Sequence, residues 1–104
     1  MTPYEVLADP VRRDILAMLA AGELSAGDIT ERFPISQPAV SRHLKVLREA
    51  GLTEVRVEGQ RRIYALTPAP LLEVEQWLAR QRAVWERRLD ALGAHLDRMK
   101  ERGD

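Results

Sequence analysis

Apolar residues recur at helical spacing through most of this chain, and the period shortens to two only between 52 and 66. Tyr4, Val6 and Leu7 mark a short first helix over 3–8. Asp9-Pro10 reads as N-cap and first residue of a second helix, in which Val11, Ile15, Met18 and Leu19 repeat at helical spacing until Gly22 stops it. Arg12, Arg13 and Asp14 fall on its wet side and read as a solvated face. Ser25-Ala-Gly-Asp28 has the spacing of a capping box and predicts a third helix to about Phe33, burying Ile29 and Phe33, with Pro34 ending it.

The stretch from Ser36 to Gly51 is marked at both ends. Ser36 is a natural N-cap, Pro38 sits where its missing N–H costs little, and Gly51 suits the left-handed residue that closes a helix. Val40, Leu44 and Leu47 share one side of this helix. Gln37, Ser41, Arg42, Lys45 and Arg48 share the other, with an amide and a hydroxyl near the N-terminus and cations further along. That is the chemistry that reads base edges and grips phosphates when a helix enters a DNA major groove.

After Gly51 the pattern alternates. Leu52-Thr-Glu-Val-Arg-Val-Glu58 and Arg61-Arg-Ile-Tyr-Ala-Leu66 flank Gly59-Gln60 and read as a β-hairpin with Arg61 and Arg62 near its tip. Thr67-Pro68 then starts a last helix as N-cap and first residue, running to about Arg102, roughly 50 Å at 1.5 Å per residue. Leu71, Leu78, Trp85, Leu92 and Met99 recur along it every seven residues, joined by Leu89 and Leu96 and broadened by Val74 and Trp77, while Glu75 and Arg82 interrupt a strict zipper. A domain this small cannot cover so long a stripe, so a second copy of the chain is the expected partner.

The expected fold class is therefore mainly α with a small β-hairpin, in the order α-α-α-α-β-β-α. A short helix, a turn and a longer polar-faced helix make a helix-turn-helix, and the hairpin directly after it makes the winged variant. Residues 1–67 are expected to form the winged unit and 68–104 the dimerisation helix, in one compact domain overall.

Composition narrows the function. The chain has 104 residues and no cysteine, which excludes a disulfide framework, a thiolate metal site and a cysteine nucleophile. No apolar run approaches the roughly 20 residues of a bilayer span and no signal-peptide pattern opens the chain, so a cytoplasmic protein without membrane contact is expected. Formal charge is zero, yet residues 1–36 carry three Arg against six Asp and Glu, and residues 37–62 carry six Arg and Lys against three Glu. The cationic excess is confined to the polar-faced helix and hairpin, the footprint of a nucleic-acid surface. No glycine-rich phosphate loop, nucleophile elbow or carboxylate pair points to an enzyme.

The runs Leu7-Ala-Asp-Pro-Val-Arg-Arg-Asp-Ile-Leu16, Ser36-Gln37…Ser41-Arg-His-Leu-Lys-Val-Leu-Arg-Glu-Ala-Gly-Leu52 and Glu58-Gly-Gln-Arg-Arg-Ile-Tyr64 resemble the ArsR/SmtB family of winged-helix repressors over about residues 4 to 67. The resemblance implies a bacterial homodimer that binds a double-stranded palindromic operator and releases it for an inducer. It implies that Gln37, Ser41 and Arg42 face bases, and that Ser36 and Lys45 face phosphates; beside it, the residues themselves place Arg48 on the DNA backbone and the wing residues Arg61 and Arg62 along the backbone or in the minor groove. It implies a dimer interface from the first and last helices, here Tyr4 and Leu7 with Leu78, Trp85, Leu89, Leu92 and Leu96. Pro38 stands where relatives often have a small polar residue.

The sensor is where the chain departs from that pattern. Metal-sensing members carry Glu-Leu-Cys-x-Cys-Asp, and the matching run is Glu23-Leu-Ser-Ala-Gly-Asp28, with Ser25 and Gly27 in the thiol places. His43 and His95 are the only histidines, and Asp97 lies two positions from His95 and so off its face. No metal or other cofactor is expected, and no inducer is written in the residues. Two alternatives share the fold: a repressor with an atypical His/carboxylate metal site, and a dimerising protein-interaction module.

Overall fold

Local side-chain chemistry starts nearly every helix of the computed structural model, which describes residues 1–103. Thr2 accepts from the Glu5 N–H and opens α1 (Pro3–Leu7). Asp9 Oδ1 accepts from the N–H groups of Val11 and Arg12 at 2.8 and 3.1 Å and opens α2 (Pro10–Ala21). A two-residue strand β1 (Leu24–Ser25) runs straight into α3 (Ala26–Glu31), whose capping box is complete: Ser25 Oγ accepts from Asp28 N–H, and Asp28 Oδ2 accepts from Ser25 N–H, each at 3.1 Å. Ser36 opens α4 (Gln37–Glu49) by accepting from Ala39 N–H at 3.3 Å.

The C-terminal end of α4 sets the direction of the chain into the hairpin. Gly51 takes φ +77° and donates to Arg48 C=O at 3.0 Å, while Leu52 N–H reaches back to Leu47 C=O at 2.9 Å. This paired closure buries Leu47 and Leu52 together and turns the backbone out of the helix. Strands β2 (Thr53–Glu58) and β3 (Arg61–Leu66) pair antiparallel from Thr53↔Leu66 to Glu58↔Arg61. Gly59 has φ +62° and Gln60 does not share it, the φ signs of a type II′ turn. β1 pairs on the other edge of β3 through Leu24↔Tyr64 and Ser25↔Ile63, giving a three-stranded sheet in the order β1-β3-β2. The architecture is the expected mainly helical one with a small hairpin, and β1 is an addition to it.

The core is aliphatic, built from Val6 of α1, Ile15, Leu16 and Leu19 of α2, Ile29 of α3, Val40, Leu44 and Leu47 of α4, and Leu52, with Tyr64 from β3. Phe33, expected beside Ile29, is only half-buried at its edge. The hydroxyl of buried Thr53 makes no hydrogen bond.

Two local expectations are corrected. Arg13 and Asp14 are exposed as expected, but Arg12 is only partly so: its Nε donates to Val6 C=O at 2.9 Å, and with Arg13 Nη1, which donates to Leu7 C=O at 2.8 Å, it caps the C-terminal end of α1. Thr67 is not the N-cap of the last helix: it lies one residue before the position that accepts the first helical bond, and its N–H donates to Leu52 C=O at 2.9 Å where the hairpin rejoins α4. Pro68 C=O instead accepts the first helical bond, from Leu72, and α5 runs from Ala69 to Glu101.

The chain divides into two compact units, Met1–Leu72 and the stretch from Glu73 onward. The second is a single run of helix with no fully buried residue, and Trp77, Leu78, Trp85, Leu89, Leu92 and Leu96 are all exposed along it. Among the described residues no helix is long and apolar enough to cross a membrane.

Candidate nucleic-acid interface

The geometry of α4 follows from its core side. With Val40, Leu44 and Leu47 fully buried, Gln37, Ser41, Arg42, Lys45 and Arg48 are all turned outward. Ser36 is exposed at the helix start, where its oxygen is occupied as the cap and its O–H remains able to donate. His43 is half-buried on α4.

Four of the predicted contact residues on α4 and both wing arginines do come together. Gln37, Ser41, Lys45 and Arg48 of α4 line an open groove of about 560 Å³ together with Arg61, Arg62 and Tyr64 of β3 and with Ser25, Ala26 and Gly27. Ser36 and Arg42 lie outside that groove, on the exposed surface of the same helix. Gln60, Ser25 and Gly27 were not among the predicted contacts. The strand β1 brings the latter two here, through pairing with a segment nearly forty residues later.

The cations are not equivalent. Arg61 Nη2 donates to Ser25 Oγ and to Asp28 Oδ2, each at 3.1 Å. The Asp28 carboxyl is held below its ordinary value, first by the Ser25 N–H, then by the Ser25 hydroxyl, with the Arg61 charge adding to both. Arg56 reaches Glu23 at 2.6 Å and Glu58 at 3.0 Å, and these two carboxylates, Glu23 foremost, raise its pKa. Arg42, Lys45, Arg48 and Arg62 take part in none of the salt bridges found among the described residues. At this interface the cations outside these salt bridges are those of α4 and one wing arginine.

The sheet pleat separates Arg61 from its neighbour. Arg62 stands opposite Val57 and alternates with Ile63, so it shares the sheet face of Val55 and Tyr64, whereas Arg61 starts from the opposite face. Ser25 and Gly27, in the positions of sensor thiols, carry no metal-binding group. Among the described residues no set of three or more His, Cys, Asp and Glu is grouped to hold an ion. His95 and Asp97 are exposed on α5.

The predicted dimer residues fall in two places. In the first unit Tyr4 is exposed and Leu7 is half-buried against the core. In the second, Leu78, Trp85, Leu89, Leu92 and Leu96 form the exposed stripe.

Residues 7–56 match a helix-turn-helix domain family. The chain is 40% identical over 94 residues to the HTH-type transcriptional regulator Rv2034 of Mycobacterium tuberculosis, covering 90% of this chain and 85% of that protein. It is 37% identical over 75 residues to the transcriptional repressor SdpR of Bacillus subtilis, covering 72% and 83%. Its fold is similar to the crystal structure of the ArsR family transcriptional regulator RHA00566, with a TM-score of 0.72 and 31% identity over 80% of this chain and 86% of that one.

Proposed function

The chain belongs to the ArsR family of winged helix-turn-helix transcriptional regulators, and from that premise we propose that it is a repressor that binds a palindromic operator as a homodimer. Helix α4 enters the major groove. Gln37, Ser41 and Arg42 read base edges, where an amide, a hydroxyl and a guanidinium offer the donors and acceptors that distinguish base pairs. Ser36, Lys45 and Arg48 meet phosphates, and Arg62 carries the wing to the backbone or the minor groove.

The observation that carries this reading is the groove in which the polar side of α4 faces the arginines of β3. A protein-binding surface would favour exposed aromatics or Met there, and the outward residues of α4 are none of these. The partner of the apolar stripe on α5 is a second copy, with Tyr4 and Leu7 of α1 joining the interface. A symmetric dimer places two α4 helices about one turn of DNA apart, with half-sites spaced by about 10–10.5 bp.

Selection of bound sequences from a pool of random duplexes, joined to sedimentation velocity on the free protein, tests both parts. An enriched inverted repeat and a two-chain species are expected. Enrichment of no sequence, or a monomer at micromolar concentration, refutes the reading.

A further inference from the structure

We infer that Arg61 is a positioning residue and not a phosphate contact: its bond to Ser25 and Asp28 holds the outer half of the hairpin in place, so that Arg62 meets DNA at a fixed distance from α4. The inference rests on the reading of α4 and the hairpin as a DNA-binding surface.

β1 stops at the Ser25↔Ile63 pair, so beyond it Arg62 and Arg61 of β3 have a strand partner only in β2 among the described residues. Two side-chain ties cross from the hairpin to the β1 segment. Arg56, level with Ile63, reaches Glu23 at 2.6 Å, and Arg61, at the turn, reaches Ser25 and Asp28. Arg61 is therefore the tie nearest the tip. Its two acceptors are the two halves of the α3 capping box, and each orients the other through a backbone N–H at 3.1 Å. The guanidinium docks on a prearranged pair, one of whose members, Ser25, is 7% exposed.

Charge supports the same assignment. Asp28 sits next to Gly27, which with Ser25 is among the residues that line the groove. Moving Arg61 to a phosphate would leave the Asp28 carboxylate with only the more weakly felt Arg32 as a cation beside it, near a polyanion. Keeping the pair together offsets the Asp28 charge and leaves the attraction to Arg42, Lys45, Arg48 and Arg62. The tie is largely exposed, with side chains 62% and 38% accessible, so its effect falls on orientation more than on global stability.

The test compares Arg61→Ala, Asp28→Asn, the double variant and Arg62→Ala in the full chain. The probes are a duplex enriched from a random pool and an unselected duplex, titrated at several salt concentrations. Removing Arg61 is expected to weaken binding to both by roughly fivefold with the salt slope unchanged. Asp28→Asn is expected to weaken binding similarly, and the double variant no further than either. Arg62→Ala is expected to lower the slope by about 0.9. Amide exchange over residues 57–62 in the free protein is expected to quicken equally in Arg61→Ala and Asp28→Asn.

A slope reduced by about one phosphate in Arg61→Ala, or tighter binding by Asp28→Asn, overturns the assignment. So does unchanged exchange at the hairpin tip, which is read without DNA. If the exchange rises as expected but the wild-type protein binds no duplex at low salt, it is the DNA-binding reading that has failed.

Discussion

Arg12 of α2 donates from Nε to the carbonyl of Val6 at 2.9 Å, and from Nη2 toward Glu5 C=O at 3.5 Å. A five-residue helix cannot hold itself together in water, and α1 has only Val6 fully buried beneath it. The guanidinium adds a charged donor to carbonyls that otherwise accept only from the Ala8 and Asp9 N–H groups, and puts a cation at the negative end of the helix dipole. Arg12→Ala is expected to lower stability by about 1–2 kcal/mol in urea titrations, a charged hydrogen bond discounted for partial exposure. Amide exchange at Val6 and Ala8 should rise by more than at Leu44. Equal changes at both places would mean that α1 is held by Val6 alone.

Acid should weaken the fold through the caps. Asp9 is held below the ordinary carboxylate value of 3.8, chiefly by the Arg12 N–H, and Asp28 chiefly by the Ser25 N–H. A carboxyl lowered on folding contributes stability that is complete above the unfolded value and is lost as the pH falls through the lower folded one. The wild-type urea midpoint should therefore be flat well above pH 3.8 and drop below it. Asp9→Asn keeps a capping acceptor but has no proton to take up. It should show a shallower drop than wild type over the same range, and an identical drop would remove Asp9 from the acid response.

What could be read from the residues alone was local. Asp9, Ser25, Ser36 and Gly51 announced helix ends because each acts on backbone groups within a few residues of itself. The polar side of α4 was legible for the same reason, since one periodic apolar stripe fixes where the other side points. β1 was not legible: two residues make no period, and Ser25 was already accounted for by the capping box. Arg12 and Arg13 fell on the polar side of a helical projection, which carries no record that α1 folds back over it. Arg61 looked like any wing cation, because its partner Asp28 lies 33 residues earlier and meets it only through the sheet.

Two cations of α4 should behave differently on DNA. Arg42 is exposed outside the groove, while Lys45 lines it between Ser41 and Arg48. Arg42→Ala is expected to cost about 1–3 kcal/mol on the selected duplex and to relax preference at one position of each half-site. Lys45→Ala is expected to weaken every sequence alike and to lower the salt slope by about one unit. Competition titrations against single-position variants of the duplex separate the two. Uniform loss in Arg42→Ala would make it a phosphate contact.

The stripe on α5 offers the sharpest separation of folding from assembly. Leu89 is 64% exposed and Trp85 49% exposed in the single chain, and both lie in the unit that begins at Glu73. Glu is a good helix former, so Leu89→Glu should leave α5 helical. In a paired helix it would put a charge into an apolar seam in both copies, and the dimer should dissociate. Trp85→Ala should loosen the dimer by about 3–5 kcal/mol through the space it empties. Sedimentation velocity across a concentration series reads both effects, with hydrogen exchange in the Met1–Leu72 unit as the control for folding. A Leu89→Glu protein that still sediments as two chains, with that unit intact, would place the interface elsewhere than on this stripe.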